Sequence, residues 1–316
     1  MRERAQDAGR CRRGAALAVL LMLAATAAAA EHPTVVVRYD PAQVPHVRFI
    51  AAFEEALARV TRTARLELRP LGDTRAPPRA DAVLAVGYEA LATALGGRRP
   101  VVSALVPRVS LEFAVARAGR RLAPAGDVTG VYLDQPPRRS IRLVRLVLPG
   151  ARELGVLLGP TSGRLRGEIE RAARAQGFRL RTADIGPGDS VPRVAERLLD
   201  GLDALLAVPD PLVYNRYSLH GILLAAYHHH VPMFGFSRAY VRAGALAAVY
   251  SEPQDLAATA ARLCARALRG RRLPPPVYPE VYRVSVNRHV ARSLGLLVRE
   301  EAELLRELRR GEGRKP

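Results

Sequence analysis

Tryptophan is absent from the 316-residue chain, and cysteine occurs only twice. Cys11 lies in an N-terminal leader, so Cys264 is the only cysteine left once the leader is removed, and no intramolecular disulfide is expected. Cys11 also precedes the apolar part of the leader, the wrong place for lipid attachment at a mature N-terminus. Long apolar runs are scarce: Ala15 to Ala30 is too short and too alanine-rich to span a membrane, and nothing later is more apolar. Several catalytic signatures are missing. Gly159 to Gly163 lacks the Gly-Lys-Ser/Thr ending of a phosphate loop, and no dinucleotide fingerprint or zinc-protease helix occurs. Gly235-Phe236-Ser237-Arg238-Ala239 lacks the final glycine of a nucleophile elbow. These absences argue against an enzyme.

Residues 1–30 read as a signal peptide: a basic leader, an apolar stretch, and Ala28-Ala29-Ala30 as a small-residue cleavage site before Glu31. Arg12-Arg13 sits in poor flanking sequence for twin-arginine export, which favours the general secretory route. A periplasmic protein without a lipid anchor is expected. The formal charge of +19 falls to +16 when five arginines and two acids leave with the leader. Scattered arginines, no tryptophan and no aromatic-basic motif make a solvated basic surface the better reading than nucleic-acid binding.

The remaining chain is organised around Glu153 to Gly177. Leu154, Val156, Leu157 and Leu158 form the short continuous apolar run of a parallel strand covered on both faces. A Gly-Pro-Thr-Ser-Gly turn follows, and Leu165, Ile169, Ala172 and Ala173 then mark one helix face, with Gly177 at its end. Ser162 is placed to cap that helix. A helix start at the carboxyl end of a strand is a natural anion site, although most such corners in α/β proteins bind nothing. Around it strands and helices alternate. Strands are expected at Thr34–Arg38, Leu66–Arg69, Ala82–Val86, Val101–Leu105 and Asp127–Asp134, with Phe49, Phe53, Ala56, Leu57 and Val60 on a core-facing helix. Gln135-Pro136-Pro137 reads as a crossover. A second series follows, with strands at Leu154, Phe178–Arg181, Ala204–Val208, Pro232–Phe236, Ala245–Tyr250 and Val281–Val286. This is a largely parallel α/β fold in two lobes.

Seven of the sixteen aromatic residues fall at or just after strand ends: Tyr39, Tyr88, Tyr132, Tyr214, Phe236, Tyr240 and Tyr250. That placement suits a cleft with aromatic walls, and equally interlobe packing. Arg238 has the donor fork for a carboxylate and Asp210 the charge for an ammonium group, or both are surface residues. His228-His229-His230 point different ways from a helix end, and no cysteine or paired carboxylate completes a ligand set, so no metal and no cofactor is expected. Cys264 lies on the apolar stripe of a helix and reads as core.

Four stretches together carry a family resemblance: GVYLDQPPRRSIRLVRLVLPGARELGVLLGPTSG (130–163), DALLAVPD (203–210), VPMFGFSRAYVRAGALAAVYSEPQDLA (231–257) and VNRHVARSLGL (286–296). In order and spacing they resemble the substrate-binding proteins of ABC transporters, the group that includes tryptophan- and tyrosine-binding members with the type 1 periplasmic binding protein fold. The resemblance implies two Rossmann-like lobes joined by a three-crossing hinge. The N-terminal lobe would hold residues 31–131 plus about 251–273, and the C-terminal lobe 132–250 plus about 274–316. It implies a small-molecule ligand such as an aromatic amino acid or related carboxylate, captured by lobe closure. The partners would be an ABC permease and ATPase in the inner membrane, with the binding protein a monomer. The family's ligand loops fall on Gly87-Tyr88-Glu89-Ala90, Pro160-Thr161-Ser162-Gly163, Asp210 and Phe236-Ser237-Arg238; Tyr132 and Tyr214 join the candidate ligand contacts by their strand-end placement. Tyr88 stands where relatives often have a small hydroxyl residue, and Pro211 replaces a commonly polar neighbour. A sensory or accessory subunit working with a membrane receptor or kinase is the alternative.

Overall fold

In the computed structural model, residues 32–73, 75 and 79–313 are described. The expected signal peptide, its cleavage site and Cys11 lie outside the described residues, as do the last three positions of the tail. Residues from Thr34 onward form one compact unit with its own cores.

Five strands make the first sheet: β1 (Thr34–Tyr39), β2 (Arg65–Pro70), β3 (Ala82–Val86), β4 (Val101–Val106) and β5 (Val128–Tyr132), in the order β2-β1-β3-β4-β5. Every pairing is parallel. Val35 and Val37, fully buried in β1, alternate along it and pack with α1 (Val44–Val60), whose Phe49, Ile50, Phe53 and Leu57 make the inner face. Helices α2 (Tyr88–Leu95) and α3 (Arg108–Arg117) cover the sheet at β3, β4 and β5.

The second sheet contains β6 (Glu153–Leu158), β7 (Arg179–Asp184), β8 (Ala204–Leu206), β9 (Met233–Gly235), β10 (Ala247–Tyr250) and β11 (Arg283–Val286), ordered β11-β10-β9-β8-β6-β7. Only β11 runs antiparallel to its neighbour. Its helices are α4 (Pro137–Val147), α5 (Arg166–Ala175), α6 (Val191–Leu199), α7 (Leu219–His228) and α8 (Arg238–Ala243). Between β10 and β11 the chain leaves this sheet: α9 (Ala257–Leu268) packs on α1 and the first sheet, burying Ala260, Ala261 and Cys264 completely. Burial pushes the Cys264 thiol well up, which keeps it an inert core group. The chain then returns through β11, α10 (Arg288–Ser293) and α11 (Glu301–Gly313), whose Leu304 and Leu308 are fully buried with α4 and β11. Among the described residues no helix is long and apolar enough to cross a membrane.

The chain therefore crosses between the sheets three times, and polar side chains tie the crossings together. Gln135 Nε2 donates to Ser251 Oγ at 2.9 Å, and Ser251 Oγ donates to the Val281 carbonyl at 2.6 Å. Arg139 donates to Gln135 Oε1, to the Pro279 carbonyl and to Glu312 on α11, and lies 3.8 Å over the Tyr282 ring.

Some elements differ from the sequence reading. Helices α2 and α3 occupy stretches that carried no helix in that reading; α3 spreads its apolar and polar residues around the axis. Arg238–Ala243 is helical although the segment does not read as a strong helix: four of its six residues are the good helix formers Ala and Arg, but it is too short to show a periodic apolar face. Ser162 does not cap a helix: it opens a 3-10 turn (Ser162–Leu165), and α5 begins only at Arg166.

Candidate functional site

Parallel strands put all their carboxyl ends on one edge, and the loops there come close together. On the first sheet, Asp40 follows β1. Its backbone N–H donates to His46 Nδ1 at 3.2 Å, and its Oδ1 accepts from Ala42 N at 2.9 Å. A ring nitrogen that accepts carries no hydrogen, so the neutral ring bears its proton on Nε2. Burial lowers the His46 pKa and favours this neutral form. The ring lies against Gly87, which has φ +86° and where a Cβ would sit 2.6 Å from His46 Cε1. That close approach requires glycine. It delivers Tyr88, 39% exposed, and the exposed Glu89 at the first turn of α2.

On the second sheet, the turn after β6 is tied to the loop after β8. Asp210 is 3% exposed. Its Oδ2 accepts from Thr161 Oγ1 at 3.0 Å, Ser162 N at 2.8 Å and Ser162 Oγ at 2.8 Å, while Oδ1 accepts from Leu212 N at 3.0 Å. Ser162 Oγ in turn accepts from Gly159 N at 2.9 Å. The donors that the sequence offers to a ligand carboxylate are thus engaged by a carboxylate of the chain itself. The arrangement leaves Thr161 half-buried at the edge, with Ser162 and Asp210 beneath it.

Beyond this corner, Tyr214 is packed edge-on against Phe236 and Tyr240, with ring centroids 6.1 and 6.3 Å away; Phe236 and Tyr240 are 4.3 Å apart. Burial drives the Tyr214 phenol strongly up, and its buried hydroxyl has no hydrogen-bond partner among the described residues. Tyr240 is pushed up to about 12 by burial. Ser237 precedes α8 with extended backbone and no side-chain cap bond. Arg238 turns toward β10 and β11: its Nε donates to Tyr250 Oη at 2.7 Å and lies 3.2 Å from Glu252 Oε1. With Tyr250, Arg283, Ser285 and Glu301 it lines a cavity of about 250 Å³. Tyr132, 6% exposed, is packed edge-on against Tyr278 at 4.9 Å rather than facing outward. The structure therefore joins Thr161, Ser162 and Asp210 in one bonded corner, places Tyr214 in an aromatic cluster beside it, and sets Tyr88 and Glu89 on the other sheet. Among the described residues no group of three or more His, Cys, Asp or Glu is placed to hold a metal, and His229 pairs with Glu196 at 3.2 Å.

Sequence reading overlooked Arg108, although it follows a strand end as the named residues do. Its guanidinium reaches from α3 to Glu168 on α5 at 2.6 Å, to Glu112 at 2.8 Å and to Tyr278 Oη at 3.0 Å. Its backbone N–H donates to Asp134 Oδ1 at 2.7 Å, so the first crossing caps α3. Asp134 is 7% exposed, and burial raises its pKa from 3.8 to about 6 against the smaller opposing effect of that bond. A carboxyl raised in the folded state binds its proton more tightly there than in the unfolded chain. Its contribution to stability is present below pH 4 and is lost as pH rises to about 6, a change of about 3 kcal/mol. Asp134→Asn keeps the accepting oxygen and removes the titration. Denaturant midpoints between pH 4 and 7 should fall more steeply for the natural protein than for the variant; parallel slopes would rule this account out.

Residues 101–306 match the ABC transporter substrate binding protein family. No curated protein matches. Among solved structures, the ABC domain in complex with L-Trp from Streptococcus pneumoniae is 18% identical, with TM-score 0.62, over 87% of this chain and 98% of that one. A substrate binding protein with adhesive properties from Clostridium difficile, in its ligand-free, open structure, is 15% identical with TM-score 0.65, over 85% and 96%. A periplasmic ribose ABC transporter protein from Conexibacter woesei is 12% identical with TM-score 0.50, over 85% and 96%. The two mostly parallel sheets and three crossings are the type 1 periplasmic binding protein fold, and with two thirds of its length matched to the family, this chain belongs to the substrate-binding proteins of ABC transporters.

Proposed function

We propose that the protein captures a small organic ligand between its two sheets and delivers it to an ABC permease and ATPase, working as an exported, periplasmic monomer. The observation that carries this reading is the family match spanning β4 to α11. The lobes are taken as 31–131 with about 251–273, and 132–250 with about 274–316, so that the three crossings serve as the hinge. Ligand contacts to both lobes exist only in the closed form, and binding shifts the population toward it.

The groups offered for direct contact are Tyr88 and Glu89 from the first lobe and Thr161, Phe236, Ser237 and Tyr240 from the second, with the buried Tyr214 behind the two rings. Ser162, Asp210 and Tyr132 are too buried to do more than shape the site from beneath, and Arg238 would have to leave Tyr250 and Glu252 to reach a ligand. Aromatic groups on both sides suit a planar apolar ligand such as an aromatic amino acid or related carboxylate.

Thermal unfolding of the chain from Glu31 onward, screened against amino acids, aromatic acids, nucleosides and sugars, tests the reading. A ligand at a hundredfold excess over Kd should stabilise by about 2.7 kcal/mol. Tyr88→Ala and Phe236→Ala should each weaken binding about tenfold or more for an aromatic ligand. Stabilisation untouched by either variant would place the site elsewhere, and no stabilisation by any solute would sink the reading.

A further inference from the structure

The starts of the parallel strands in the first sheet share one pole with the ends of α1, α2, α3 and α9, and that pole is crowded with arginine. Contacts fix its continuity. Arg269 donates to the Val60 carbonyl at 2.9 Å, joining the ends of α9 and α1. Arg120 donates to the Gly97 carbonyl at 2.6 Å and the Arg99 carbonyl at 3.0 Å, joining the ends of α3 and α2. Arg272 lies 3.3 Å from the Pro124 carbonyl, closing the circuit.

Helix ends attract cations to their carbonyls, which accounts for Arg269 and Arg120, and a loop carbonyl holds Arg272. Neither accounts for Arg65, Arg98, Arg99, Arg117, Arg121 and Arg271, whose exposed guanidinium groups bond to none of the described residues. The nearby acids are already engaged: Asp127 meets Arg120 at 2.7 Å, and Asp81 accepts from Thr34 N at 2.8 Å. The corresponding pole of the second sheet is different. There Arg152, Arg174, Arg197 and Arg242 are exposed, fewer than on the first pole, while Arg179 pairs with Glu153, Asp203 accepts from the backbone of residues 152 and 153, and a mixed polar and apolar groove lined by Asp203, His230, Pro232, Leu296 and Leu297 faces outward.

We propose that the arginine pole of the first lobe docks on the phosphate headgroups of an anionic lipid surface. Guanidinium forks bind phosphate oxygens bidentately and shed water more readily than ammonium groups. Cations held within a Debye length of an anionic membrane add their attractions together. No aromatic residue occurs in segments 59–65, 96–100, 116–127 and 266–273, and Phe113, one turn before Arg117, is a single exposed ring, so the pole lacks the series of stacking platforms that nucleic-acid bases need. The candidate cleft lies at the opposite ends of the same strands, so docking leaves it open to solute. The inference does not depend on which ligand the cleft takes.

Co-sedimentation of the chain from Glu31 onward with vesicles tests it. Neutral phosphatidylcholine vesicles are compared with vesicles holding about 30% phosphatidylglycerol, at about 50 mM salt. A quadruple variant, Arg98→Glu, Arg99→Glu, Arg117→Glu and Arg121→Glu, is compared with Arg152→Glu, Arg164→Glu, Arg171→Glu and Arg174→Glu on the other lobe. Both change net charge equally. The pole variant should lose about a hundredfold or more in partition to anionic vesicles, and the control less than about threefold. Equal losses would mean diffuse charge alone, and equal binding to neutral vesicles would mean no electrostatic docking; either overturns the proposal. Melting curves check that both variants fold, and the same four arginines changed to Gln give the arm to use if the reversal does not.

Discussion

Replacing Asp210 with alanine should cost about 3–5 kcal/mol of stability, the largest effect expected from any single residue of the candidate site. Its carboxylate is 3% exposed and accepts four hydrogen bonds, three of them on Oδ2. Alanine would strand the buried N–H of Ser162 and two hydroxyls without an acceptor, and water has little access to replace it. Gly159 adds to the cost, because its missing side chain leaves the carboxylate lying 2.4 Å from where a Cβ would stand, and alanine at 210 would open that space as a void. Asp210→Asn keeps one oxygen for Ser162 but turns an NH2 toward a donor, so its loss should fall between. Differential scanning calorimetry is the measurement: a drop of roughly 10 °C for the alanine variant is expected. A change within about 2 °C would mean that the bonds of the corner contribute little net stability and that Asp210 is held for a ligand instead.

The second large effect is expected at the crossings. Arg139 is 7% exposed and links three segments through one guanidinium: Gln135, Pro279 and Glu312, with Tyr282 stacked beneath it. Arg139→Ala should destabilise by about 3–4 kcal/mol, since it removes a buried cation whose partners have been arranged around it. Arg139→Lys should recover less than half, because a point charge replaces neither the fork nor the stacking. Glu312→Gln tests the C-terminal clasp alone. It keeps one oxygen to accept from Arg139 while removing the charge and placing an NH2 opposite the Tyr282 hydroxyl, and about 1 kcal/mol is expected, as Glu312 is partly exposed. Denaturant unfolding separates the three variants. If Arg139→Lys matched the natural protein, the fork geometry would be irrelevant and only the charge would matter.

The two effects differ in what they test. Loss at Asp210 bears on how one corner of the second lobe is built. Loss at Arg139 bears on how α11, the last helix of the chain, is coupled to the segments that would bend during closure. A destabilised Arg139 variant with broadened small-angle scattering would connect the C-terminal helix to lobe motion, whereas a destabilised variant of unchanged dimensions would confine its role to packing.

Much of the architecture is carried by local patterns that need no tertiary context. Leu154 to Leu158 is apolar on both sides because β6 has a helix layer on each face. Phe49, Phe53 and Leu57 recur at helical spacing because α1 buries one face on β1 and β3. Helices such as α3 were not legible in this way. Its residues lie between a sheet, the second lobe's Leu165 and solvent, so no single apolar face develops, and its start is capped by Asp134 from 26 residues away rather than by a local signal. The sheet memberships of α9 and β11 are equally non-local, since nothing in either segment states which sheet it joins.

For the site, the sequence by itself determined which residue types stand at the strand ends: the hydroxyls at Thr161 and Ser162, the acid at Asp210, the aromatics at Tyr88, Tyr214 and Phe236, and the glycine at 87 that permits their neighbours to approach. Only the tertiary structure decided which of them meet. The pairing of β6 with β8 brings Asp210 under the Thr161–Ser162 turn and turns an apparent anion site into a satisfied internal corner. The end of β10 draws Arg238 toward Tyr250 and Glu252, and the third crossing covers Tyr132 with Tyr278. The physical reason is the range of the interactions. Periodicity and turn chemistry act over a few residues, whereas a charge or hydroxyl is satisfied by whichever partner the sheet order places within about 3 Å, however far away in the chain.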